Sequence, residues 1–117
     1  KGDWKDYRYR IAICHIPFTI SFPSPFDIEK DKYARWTEIL GEMGVQVLIT
    51  GHMHYYDVIK PGDPSDIYGQ RFPTVIGSSL KKDGTFTGCA LKIDDNGLCI
   101  QMTGPGGAAA AEYIIKK

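Results

Sequence analysis

Three histidines are the residues of this chain best suited to carry chemistry. His15 ends the apolar run Ile11 to Cys14 in "YRYRIAICHIPF", and His52 and His54 follow Val45 to Thr50 in "VQVLITGHMHYYD". Neutral imidazole is a good ligand for zinc, iron, nickel and copper. In a continuing strand His52 and His54, two positions apart, would point to the same face, with Met53 on the other. Gly51, directly before them, has the conformational freedom to turn the backbone out of the strand and carry both toward one point. Residue type and spacing leave two readings open. One is a metal site; the other is a surface loop with hydrogen-bonded histidines and a proline stop at His15-Ile16-Pro17.

The elements around the histidines read as α/β. Ile11 to Cys14 is short, apolar and isoleucine-rich, as a buried strand is. "TISFPSPFD" is a loop broken by Pro23 and Pro25, long enough to be functional. Its Phe18, Phe22 and Phe26 could shape specificity or equally lid the helix that follows. In "DIEKDKYARWTEILGEMG" residues Tyr33, Trp36, Ile39, Leu40 and Met43 fall on one helical face. Asp27 can cap the start and Gly44 the end. "VQVLIT" is a second buried strand, giving a β-α-β unit with parallel strands. "VIKPGDPSDIYGQR" reads as a turn-rich loop, and "FPTVIGSSL" as a third strand ending at Gly77. "FTGCALKIDDNGLCIQMTG" is an antiparallel hairpin, with Asn96-Gly97 as its turn, Asp95 facing Leu98 and Asp94 facing Cys99. Residues 104–117 read as a Gly/Ala-rich linker and terminal segment, either a final strand, a helix start or a non-native remnant. If the two strands of the β-α-β unit are parallel, all three histidines lie at one carboxyl edge, where open α/β sheets place their ligands.

Composition excludes little but does so clearly. The 117 residues carry 14 Lys plus Arg and 14 Asp plus Glu, so the net charge is zero and lacks the basic excess of a nucleic-acid surface. No apolar run approaches the ~18 residues of a membrane span. Cys14, Cys89 and Cys99 form no C-x-x-C pair. All three are expected to be buried and free. The compartment stays open.

"AICHIPF" followed by "VLITGHMHYYD" resembles the C-terminal half of a calcineurin-like metallophosphoesterase. That family has a histidine shortly before a proline after one strand and a Gly-His-x-His motif after the next. "TVIGSSL" and "FTGCALKIDDNG" are similar to the glycine turn and closing hairpin that follow there, and Tyr55-Tyr56 resembles the purple-acid-phosphatase-like branch. The likeness spans roughly residues 8 to 103, so 1–103 is expected to be the C-terminal part of such a domain. The resemblance implies the C-terminal half of a layered α-β-β-α sandwich. It also implies two divalent or trivalent metal ions (Mn, Fe or Zn). His15 and His52 would bind one metal and His54 the other. A shared hydroxide would attack a phosphate mono- or diester.

The family also needs an Asp-x-His motif, a bridging aspartate and a Gly-Asn-His block, and none of these occurs here. The first residue is Lys1, not Met. The expectation is therefore the C-terminal portion of a longer enzyme, inactive by itself. It would complete its site with the N-terminal half of the same protein and expose a sheet edge that favours association, with that half or as a homodimer. The alternatives are a non-catalytic binding or assembly domain of the same fold, and a mononuclear three-histidine hydrolase. Asp27, Asp57, Asp63 and Asp66 are read as cap and turn residues. Tyr55 and Tyr56 could line a substrate pocket, with at least one expected in the core, and Cys14 is read as a core residue.

Overall fold

A computed structural model of the chain describes residues 6–17, 30–77, 88–103 and 109–116. It contains β1 (Ile11–Ile13), α1 (Lys30–Glu42), β2 (Val47–Thr50), β3 (Asp57–Ile59), β4 (Thr74–Ile76), β5 (Gly88–Asp94), β6 (Gly97–Thr103) and β7 (Ala109–Ile115). The first sheet is mixed, in the order β1-β2-β4-β3. The second is antiparallel, in the order β5-β6-β7. β1 and β2 are parallel, with Ile11 opposite Val47 and Ile13 opposite Ile49. β4 runs parallel to β2 on its other side.

Alternation along β2 and β4 divides the core. Leu48 packs with Tyr33, Val45 and Phe72 toward α1. Val47 and Val75 pack with Leu98 and Ile100 of β6. The described residues thus form three layers, helix on sheet on sheet, around two apolar interfaces. α1 ends as its sequence demands. Gly44 takes a φ of 74°, the Val45 amide donates to the Leu40 carbonyl at 3.0 Å and the Gly44 amide to the Gly41 carbonyl at 3.0 Å. That bond pair is a Schellman cap. Asp27, expected to cap the other end, lies outside the described residues, as do Phe18, Phe22 and Phe26.

Several expectations need correction. Among the described residues β1 is an edge strand, not a buried one, and Ile13 is 77% exposed. The buried stripe of α1 runs through Tyr33 and Thr37, leaving Trp36, Ile39 and Met43 exposed. The segment after the histidines holds a strand, β3, whose three residues are too short to show a period. In the hairpin Asp94 faces Gly97 and Lys92 faces Cys99. The loop residues are therefore Asp95-Asn96, because the Asp94 carboxylate takes the Asn96 amide at 2.8 Å and closes the turn one residue early. Of the readings open for the terminal segment, the final strand is the one seen, since residues 109–115 pair with β6. The cysteines are free as expected, but Cys89 is exposed and the other two only half-buried. The register places Cys89, Leu91 and Ile93 on the face that buries Met102, Ile100 and Leu98, yet Leu91 and Ile93 are 44% and 54% exposed. β5 lies beyond the area that the first sheet covers.

Candidate metal centre

Parallel pairing brings the ends of β1, β2 and β4 to one edge, and backbone bonds continue the pairing past the strands. The Cys14 amide donates to the Ile49 carbonyl at 3.0 Å and the Gly51 amide to the His15 carbonyl at 3.0 Å. The Gly77 amide donates to the Thr50 carbonyl at 2.7 Å. A side chain at Gly77 would press its Cβ to 3.2 Å from the Thr50 oxygen, which is why glycine stands there. Two histidine-bearing loops are thereby fixed side by side before any side chain contributes.

The turn itself corrects the role given to Gly51. Gly51 is not in the left-handed region; His52 and His54 are, with φ of 67° and 61°. They are the only non-glycine residues with positive φ among those described. The Met53 amide donates to the Gly51 carbonyl at 2.8 Å. With a positive φ at His52 this is the rarer and strained form of γ-turn. Left-handed backbone costs a side-chain-bearing residue roughly 1–2 kcal/mol, and such strain gathers at functional sites.

The turn delivers His52 to His15. His52 Nδ1 lies 3.2 Å from His15 Nε2, with ring centroids 5.1 Å apart and planes inclined at 80°. All three histidines are exposed. Two ring nitrogens at this distance can share one proton, as donor and acceptor. Alternatively, both can offer lone pairs to one ion with metal–nitrogen distances of about 2.0–2.1 Å. His15 and His52 therefore fit as two donors to a single metal. His54, two residues on, does not join them: among the described residues no group of three metal-binding side chains converges. This leaves the mononuclear three-histidine hydrolase without its third donor among those residues.

An apolar layer supports both loops. Ile16, next to His15, and Met53, between the other two histidines, pack on buried Ile59 and Ile76. Sequence reasoning missed these two as positioning residues; their signal was an apolar residue directly beside the histidines. The tyrosines separate. Tyr56 packs between the sheets, and burial raises its hydroxyl pKa, helped by Cys89, Asp57 and Tyr113. Tyr55 stays exposed. The aspartates make turns. Asp63 Oδ2 accepts the Lys60 amide at 2.8 Å. Asp66 accepts the Gly62 and Gln70 amides at 3.1 and 3.0 Å. Asp57 accepts the Val58 amide at 2.8 Å.

No protein-family model matches the chain, and no curated protein matches it. Among solved structures, it is similar to a conserved uncharacterized protein from Streptococcus pneumoniae TIGR4, described as a predicted phosphoesterase. The identity is 11% and the TM-score 0.49, over 79% of this chain and 51% of the other. The chain thus spans about half the length of that protein.

Proposed function

We propose that this chain is the histidine-bearing C-terminal portion of a metal-dependent phosphoesterase that hydrolyses phosphate mono- or diesters. The observation that carries the reading is the His15–His52 pair at 3.2 Å, formed across parallel strands by a Gly-His-x-His turn whose two histidines both hold left-handed backbone. In this reading His15 and His52 hold one metal ion through Nε2 and Nδ1, and His54 is a donor to a second. A bound pair of ions would supply an activated hydroxide and neutralise charge on the phosphoryl oxygens. The chain's own part is positional. The Gly51–His15 backbone bond sets the spacing of the loops, and Ile16 and Met53 anchor them to the core. Two close cations need carboxylate charge, which three imidazoles do not supply. The reading assigns that charge to a preceding segment of the same protein. Exposed Ile13, Leu91 and Ile93 support a further segment or second copy against these strands. They equally suit the second reading, a non-catalytic assembly domain.

The test is metal analysis and hydrolysis of 4-nitrophenyl phosphate by the protein with its native flanking sequence. His52→Ala is expected to lower kcat/KM at least about 100-fold, given that even outer-shell changes at metal sites cost 10–100-fold. Absence of bound metal, or hydrolysis untouched by His52→Ala, would sink the reading.

A further inference from the structure

We propose that the cleft beside the histidine turn binds a planar aromatic group of the phosphoester substrate, an inference that rests on the phosphoesterase reading. The cleft, of about 300 Å³, is lined by Met53, Tyr55, Asp57, Ile59, Pro64, Ser65 and Ile67. That size lies at the lower end of small-ligand sites.

Its place in the chain ties it to the metal centre. Met53 separates His52 from His54 and Tyr55 follows His54 directly, so one wall begins a single Cα step of about 3.8 Å from a proposed metal ligand. The opposite wall is built in advance. Loop residues 60–70 are held by the Asp63 and Asp66 carboxylates. They are also held by buried Gln70, whose Nε2 donates to the Ile59 carbonyl at 2.9 Å and whose Oε1 accepts from Thr74 Oγ1 at 3.2 Å. A wall fixed by this many bonds loses little order when a ligand arrives.

The lining sets the chemistry of the ligand. Tyr55 and Ile67, 44% and 41% exposed, offer a ring and a branched aliphatic surface, the pairing that holds a flat apolar group. Asp57 stands at the rim. Its Oδ1 accepts the Val58 amide, while Oδ2 has no hydrogen-bond partner among the described residues and can accept from a donor on the ligand. The group assigned to the cleft is therefore an aromatic ring bearing a hydrogen-bond donor.

The experiment titrates phenol, phenyl phosphate, 4-aminophenyl phosphate and inorganic phosphate into the protein. Zn²⁺ or Mn²⁺ is present for the phosphates, and binding is followed by isoleucine-methyl and tyrosine NMR signals. Phenol alone should move the Ile59, Ile67 and Tyr55 signals without metal. Tyr55→Ala should weaken phenyl phosphate about tenfold, the loss of one aromatic contact and its buried area, and leave inorganic phosphate unchanged. Ile67→Asp, on an exposed loop position, should act in the same direction, and Asp57→Asn should weaken only the amino compound. Phenol that moves none of these signals, or affinities unchanged in both Tyr55→Ala and Ile67→Asp, overturns the proposal. His52→Ala separates the two readings, since it should abolish phosphate binding and spare phenol. If it spares both, the metal reading fails while the aromatic cleft stands.

Discussion

Two of the turns that use left-handed backbone obtain it differently. Between β5 and β6 the residue is Gly97, with φ of 133°. A Cβ there would collide with the Ile115 carbonyl on β7, so glycine is the only comfortable choice. After β2 the left-handed residues are His52 and His54, although Gly51 stands beside them with room to spare. A Cβ at Gly51 would meet nothing nearer than 3.9 Å. Where only chain reversal matters, the chain uses glycine. Where histidine holds the same backbone region, the chain carries a strain that glycine would avoid.

Close polar pairs in the two regions differ likewise. Cys99 Sγ donates to Glu112 Oε1 at 2.9 Å, nearer than the two imidazoles. Yet that contact follows from regular pairing, since Cys99 faces Ile114 and Glu112 is its diagonal neighbour. The bond to Glu112, then burial, pushes the thiol up to about 11, which leaves it protonated and unreactive at neutral pH. Proximity alone does not make a site.

The contrast can be broken or sharpened by substitution. Ile76→Ala and Leu98→Ala both empty fully buried positions, and each should cost about 2–5 kcal/mol in denaturant unfolding. Only Ile76→Ala, beneath Ile16 and Met53, should also disturb the His15 and His52 ring signals. Equal disturbance by both would deny the apolar layer its positioning role. Gly97→Ala should cost more than about 1 kcal/mol, because alanine must enter a strained φ. Gly51→Ala should stay within about 0.5 kcal/mol; a larger loss would return the turn to Gly51. The smallest effect concerns Cys99. At pH 8, Glu112→Gln should speed its alkylation by iodoacetamide, read per site by mass spectrometry. Because the folded thiol titrates near 11 and the ordinary value is 9.0, the unfolded chain loses this proton first. The contribution to stability is whole below about pH 9 and disappears as pH rises toward 11. An unfolding midpoint flat across that range in the parent, or falling equally in Glu112→Gln, would contradict the assignment.

Much of the frame could be read from the residues. The β-α-β unit, its parallel strands, the cap at Gly44 and the meeting of His15 with His52 at one edge follow from period and punctuation. What could not be read depended on partners distant in sequence. β3 is a strand because β4 pairs with it, not because "DVI" carries a pattern. The exposure of Ile13, Cys89 and Leu91 depends on where one sheet stops covering the other. The left-handed histidines were hidden behind Gly51, since composition names the residue able to turn and not the residue that does.

Ile13 carries a practical consequence. It sits two positions before His15 on a strand whose outer edge is unpaired among the described residues, and such an edge can accept another strand. A strand added there would lie against the histidine pair. Protein concentration then becomes a variable of the site, linked to it by mass action. Metal affinity and melting temperature should be recorded over a dilution series, where parallel drifts in both would trace them to this one edge.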